Sequence, residues 1–436
     1  MLENPLRIDR TLKEVARARA AFRRKLRHDS AEDHAFEHVG ERVSDELLEE
    51  LRGDGDGDPL GPALHRWAYV LREEHALIAT DRALAEAWHV ERHPLDQPLG
   101  GSFTLAELRA RALGDRRGGR RLFLDAWLAR SGKAGELALR RWEERAEHAA
   151  RLRIADLDAL EHVTQDVFEH ANAWLETTNE AFAALGVRDT TELVTLALGE
   201  DATATWPTHL STRSLVRLFD EPAWFKHVEL ELEGLVAPLG TASFLRGLDA
   251  LGRGLRKRFV SSALPFAAAE DPYELEASVW GALFALLPFG ESFATRRLGV
   301  AKNRLGDHRR SLARVYLIGA RAAAMRALSR SAALAGERSA RKSFRELGER
   351  AFTLELPPNA AGALFCPEPD SPQRFAALAL AAELERRLTE THDEDWYRNP
   401  RAVAELREEA ARAPETEIAP ERLKTGLQLL GERLSA

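Results

Sequence analysis

The 436-residue chain has one cysteine, Cys366, so no intrachain disulfide can form, and this usage is compatible with a reducing compartment. A lone thiol of this kind reads best as a small buried apolar residue. Isoleucine occurs only at positions 8, 78, 154, 318 and 418. With β-branched residues scarce and Ala, Leu, Arg and Glu abundant, sheets have little to build on and helix is favoured nearly everywhere. Long apolar runs are also missing. The longest, "ASVWGALFALLPF" from Ala277, is shorter than the ~20 residues of a membrane span and contains Pro288. The N-terminal "MLENPLRIDRTLKEVARARAAFRRKL" is charged and periodic where a signal peptide requires an uninterrupted apolar core. The expectation is a cytoplasmic chain without membrane partners. Positive charge is not in surplus either: 62 Lys and Arg face 70 Asp and Glu, a net charge of -8, which excludes a protein-wide attraction to nucleic acid.

What is present is helical periodicity. Leu12, Val15, Ala18, Phe22 and Leu26 recur at the spacing of one helix face, and similar stripes run through 136–185, 312–335 and 375–390. Thr104 and Glu107 stand at capping-box spacing, which predicts a helix start there. Turn-rich punctuation falls at "RGDGDGDPLGP" (52–62), "RHPLDQPLGG" (92–101), "LGEDATATWPTH" (198–209) and "LELPPNAAGALFCPEPDSPQ" (354–373). None has the length or low complexity of a flexible linker. The sequence predicts an all-α, multi-helix body with a loose division near residue 205, giving regions 1–205 and 206–436. No internal repeat points to a solenoid.

Several motifs look like chemistry. "HAFEH" places His34 and His38 one helical turn apart with Glu37 beside them, the spacing of two imidazoles on one zinc ion with a carboxylate as base. Enzymes that use this inverted motif are α/β proteins, and no third ligand segment stands out here, so a structural role on a helix face is expected. "HVERH" repeats the His spacing at His89 and His93 without the rest of the pattern. "DGDGD" from Asp54 imitates a calcium loop, then puts Pro59 where that loop needs Gly and His65 where it needs a bidentate Glu. The basic clusters "FRRKLR", "DRRGGRR", "GLRKRF" and "HRRSLAR" sit in helical periodicity or turns and read as solvated faces.

The C-terminal half carries a further pattern. "ARAAAMRALSRSAALAGERSARKSFRELGERAF", "DSPQRFAALALAAELERRL" and "THDEDWYRNPRAVAELREEA", with "PLGTASFLRGLDALGRGL" and "FGESFATRRLG" upstream, resemble the helical end of the thimet-oligopeptidase and oligoendopeptidase family of gluzincin peptidases over about residues 205–436. The resemblance implies a bilobal helical body with a central cleft. It also implies a zinc helix carrying HExxH and a later Glu ligand, and here the chain departs from the family. No His is followed by Glu anywhere, and no His lies between His227 and His308. The segment aligned by order offers Glu274 and Glu276, and Glu291 in "GESFA" stands where the later Glu ligand would be. A lone carboxylate cannot hold catalytic zinc. The expectation is a catalytically inactive, peptidase-like protein with no metal and no cofactor, binding a peptide or protein segment through Glu274, Glu276, Glu291, Arg309, Arg310, Tyr316 and Arg321. Two alternatives stay open, as does the oligomeric state. One is a helical interaction or assembly protein that works through its surfaces. The other is a metal-dependent peptidase with a displaced site at His34, Glu37 and His38.

Overall fold

The computed structural model describes residues 4–26, 35–54, 60–114, 119–154, 156–198, 206–207, 210–211, 213, 215, 239–357, 367–413 and 418–435. Over these residues the chain is all-α. The first half contributes α1 (Pro5–Leu26), α2 (Ala35–Gly40), α3 (Asp45–Asp54), α4 (Gly61–Ala76), α5 (Ile78–His89), α6 (Leu105–Gly114), α7 (Arg120–Arg130), α8 (Gly132–Arg151), α9 (Leu157–Leu160), α10 (Gln165–Thr177), α11 (Asn179–Ala183) and α12 (Thr190–Leu198). The second contributes α13 (Thr241–Phe259), α14 (Phe266–Ala269), α15 (Leu275–Leu286), α16 (Glu291–Arg296), α17 (Leu305–Leu334), α18 (Glu337–Phe352), α19 (Ser371–His392), α20 (Pro400–Ala410) and α21 (Pro420–Ser435). The sheet structure among the described residues is one antiparallel bridge, β1 (His93–Pro94) with β2 (Ser102–Phe103), inside the loop between α5 and α6. No described helix is long and apolar enough to cross a membrane.

The apolar run that is too short for a membrane becomes the centre of the protein. Every residue of α15 except Glu276 is buried, as an all-round hydrophobic helix must be in water. It packs between α13 and α19. Against α13 the backbones come so close that a Cβ on Gly252 would lie 2.2 Å from the Trp280 carbonyl oxygen, so only glycine fits there. Helices α17, α10 and α21 complete this main cluster, whose buried residues run from Leu139 to Leu430. It therefore draws on both sides of residue 205, where the expected division falls among residues mostly outside those described.

A second cluster joins α1 through α4, with Leu152, Phe266 and Tyr273 reaching into it. The predicted stripe on α1 is visible, since Leu12, Val15 and Phe22 are buried, but Asp9 and Arg19 are buried on the same face. Asp9 explains itself at once. Its two carboxylate oxygens accept the backbone N–H groups of Phe266 (3.0 Å) and Ala267 (2.7 Å), capping α14 from a different part of the chain. A third cluster gathers α5, α6 and α7 around Trp127. The capping box at the start of α6 is formed in both directions, Thr104 N–H to Glu107 Oε2 at 2.9 Å and Glu107 N–H to Thr104 Oγ1 at 3.1 Å.

Candidate functional site

Where the second cluster meets the first, the helices leave a cavity of about 560 Å³. Helix α1 brings Arg19, Arg23 and Arg24 to it, α4 brings Glu73 and Glu74, α5 brings Asp81, Leu84 and Trp88, and α8 brings Arg141 and Trp142. Lys257 of α13, the segment Pro272–Glu274, and Pro367–Asp370 with Arg374 close the remaining wall. Local spacing accounts for much of this convergence. Arg19 and Arg23 are four apart on one face of α1, and Glu73 and Glu74 lie in the last turn of α4, which packs against α1.

The charges inside are organised. Arg19 grips Glu74 with both Nε (2.5 Å) and Nη2 (2.7 Å), and Arg23 adds a third contact to the same carboxylate at 2.6 Å. Burial would raise the Glu74 pKa, but Arg19 and Arg23 outweigh it and hold the carboxyl below its usual range. Arg141 pairs with Asp81 at 2.6 Å. Lys257 donates to Glu274 at 2.7 Å, with Arg253 3.6 Å away. Burial works against the Glu274 charge, yet Lys257, Arg253 and Arg19 together bring its pKa down to about 2. Glu274 also stands in the left-handed region at φ 53°, a conformation that costs a non-glycine residue on the order of 1 kcal/mol and that collects at working sites.

Beneath this wall lies an ion network that is buried except at Asp158. Tyr69 donates to Glu73 (2.9 Å), Arg145 Nε donates to the same carboxylate (2.8 Å), and Arg145 Nη2 reaches on to Glu161. Glu161 receives Arg330 from the other side at 2.5 Å, and Arg330 also engages Asp158. Burial alone would lower the Arg145 pKa, but Glu161 and Glu73 outweigh it and keep the guanidinium firmly charged. The Tyr273 hydroxyl is buried beside this network without a hydrogen-bond partner among the described residues, and burial followed by the Glu161 charge pushes its pKa well up. It stays a donor at neutral pH.

Comparison with family models, with curated proteins and with solved structures gives no match for this chain.

Of the seven residues expected to bind, the structure places Glu274 in the cavity wall. Glu276 pairs with Arg256 at 2.7 Å and lines a neighbouring recess of about 50 Å³, which also shares Arg19, Lys257 and Glu274. The other five line neither space. Glu291 begins α16 with Lys302 3.6 Å away, Arg309 Nε donates to the Phe289 carbonyl at 3.0 Å, and exposed Arg310 pairs with Asp307. Tyr316 is buried edge-on to Phe289, and Arg321 is wholly buried among backbone carbonyls. Of "HAFEH", His34 lies outside the described residues, Glu37 pairs with Arg82, Phe36 is buried and His38 is exposed. Among the described residues no three His, Cys, Asp or Glu side chains are placed to hold a metal ion.

The residues that sequence reasoning missed are the arginines of α1. Arg23 lies in the basic run "FRRKLR", which reads as a solvated face, and Arg19 stands one turn before it. The usable signal was Arg19 itself, a charge standing between Val15 and Phe22 on an apolar stripe.

The same region contains a pH-sensitive element. His148 on α8 is buried, accepts Arg151 Nη2 at its Nδ1 (2.9 Å) and faces the Tyr69 ring, with Asp45, Arg72 and Glu73 around it. Burial, aided by Arg151 and Arg72, lowers its pKa to about 4 from 6.5. A histidine with a depressed folded-state pKa contributes full stability above its unfolded value, and that contribution is lost as pH falls from 6.5 toward 4. Urea unfolding should show a His148-dependent loss of about 2 kcal/mol between pH 7.5 and pH 5, and the decline should be shallower in His148→Gln. Parallel declines in the two proteins would remove the assignment.

Proposed function

We propose that the protein is a non-hydrolytic, peptidase-like binding protein that holds a peptide or protein segment in the cavity between α1, α4, α5 and α8. The observation that carries this reading is the cavity itself. At about 560 Å³ it lies within the ~300–1,000 Å³ of ordinary ligand pockets, and its wall combines apolar surface from Leu84 and Trp88 with guanidinium and carboxylate groups held in fixed pairs. Such a wall suits an amphiphilic chain, since side chains find apolar contact while backbone and charged groups meet fixed polar partners. Binding without cleavage is supported by the sequence. The chain has no HExxH, and without an activated water the carboxylates on the wall have little means of hydrolysing an amide.

Incubation of the purified protein with a mixed peptide library, with and without added zinc, tests both halves. The expected result is retention of a peptide subset on the protein with every mass unchanged. Chelator-sensitive cleavage would restore the enzyme, and no retention under any condition would end the binding reading.

A further inference from the structure

Helix α1 brings three guanidinium groups to the cavity, and among the described residues a single carboxylate is paired with them directly. Arg19, Arg23 and Arg24 all line it, and the carboxylate that meets the first two is Glu74, already gripped twice by Arg19. The other carboxylates of the wall are engaged elsewhere: Asp81 by Arg141, which also has Glu368 3.9 Å away, Asp370 by Arg374 and Glu274 by Lys257. Glu73 belongs to Arg145 in the network beneath. Arg23 keeps 43% of its side chain exposed, and among the described residues Arg24 has no ion pair. Burial first, then the charges of Arg19 and Arg141, lower the Arg23 pKa against the opposing pull of Glu74. To the same lining α5 supplies Leu84 and Trp88.

Resting on the peptide-binding reading above, we infer that the segment is anionic, with a carboxylate seated at Arg23 and Arg24 and an apolar side chain against Leu84 and Trp88. Guanidinium groups are suited to this because they present several N–H donors in a planar fork that matches a carboxylate. The anion supplies the counter-charge that Glu74 alone cannot.

Fluorescence polarisation with labelled peptides of one length tests it, using acidic, neutral and basic members blocked at both ends and a neutral member with a free C-terminal carboxylate. At least one carboxylate-bearing member should bind about tenfold tighter than the basic one, the affinity should fall with salt, and the better of the two acidic forms identifies whether a side-chain or terminal carboxylate is read. Arg23→Gln with Arg24→Gln should raise its Kd about tenfold or more while the neutral blocked peptide shifts by less than about twofold. Glu74 keeps Arg19 in that variant, and Arg24→Gln alone removes no ion pair among the described residues, so a weaker effect in the same direction is expected from a protein whose fold is not at risk. Binding of both carboxylate-bearing peptides no tighter than the basic one, or an unchanged Kd in both variants, overturns the anionic assignment and leaves peptide binding standing. No binding by any member overturns both.

Discussion

Glu161→Ala should lower the free energy of unfolding by about 3–5 kcal/mol, because it leaves Arg145 and Arg330 as buried charges with part of their counter-charge removed. All three side chains are almost completely out of water, at 1% exposure or less. Arg145 would retain Glu73 and Arg330 would retain Asp158, but the carboxylate that joins the two guanidinium groups would be gone. The network is also an architectural joint, since it ties α4, α8, the end of α9 and α17 together, and Gln373 of α19 donates to the Glu161 carbonyl at 2.7 Å. Urea unfolding provides the measurement. As a control, Glu91→Ala, which removes the partner of exposed Lys133, should change stability by less than about 1 kcal/mol. If the two variants lose equal stability, burial is not what makes the network matter. A rise in stability on replacing Glu73, Arg145, Glu161 and Arg330 together by apolar residues would be consistent with the account, because what costs is the unpaired charge rather than the absence of the pair.

The second large effect belongs to Arg321. Its guanidinium donates to the carbonyls of Ala351 (2.6 Å), Arg350 (2.9 Å) and Leu175 (2.8 Å), to Asn179 Oδ1 (2.7 Å) and to the Thr178 hydroxyl. It lies over the Phe182 ring, 5.0 Å from its centroid. Those carbonyls close the C-terminal turns of α18 and α10, the negative ends of two helix dipoles, so one cation serves both. Burial without a carboxylate lowers its pKa to about 10, which still leaves it charged at neutral pH. Arg321→Met should cost about 3 kcal/mol or more by leaving these acceptors buried without donors. Arg321→Lys should recover little, because an ammonium group cannot span five acceptors arranged around a planar fork. Recovery of wild-type stability by lysine in urea unfolding would show that charge, and not the fork, is what the site requires.

Arg321 also shows why residue roles were hard to read from the chain alone. In sequence it was one arginine on a long helix, placed by order along the chain near an expected cleft. In the fold it is a structural clamp, and its partners are 29 to 146 residues away. Glu274 went the other way. Chosen only because it stood in the segment aligned with a missing zinc helix, it lies on the cavity wall for a different reason, as the residue that starts the central helix beside Lys257.

Helical class, the α6 capping box and the apolar stripe of α1 were all legible in the sequence, because each depends on interactions within a few residues: propensity, spacing and local hydrogen bonds. The cavity, the Arg145–Glu161–Arg330 network and the convergence of the α1 arginines on that cavity were decided only by tertiary structure. A guanidinium group looks the same in sequence whether it meets water, a carboxylate 55 residues away or a carbonyl 146 residues away, and its role depends on which of these the packed helices bring within about 3 Å.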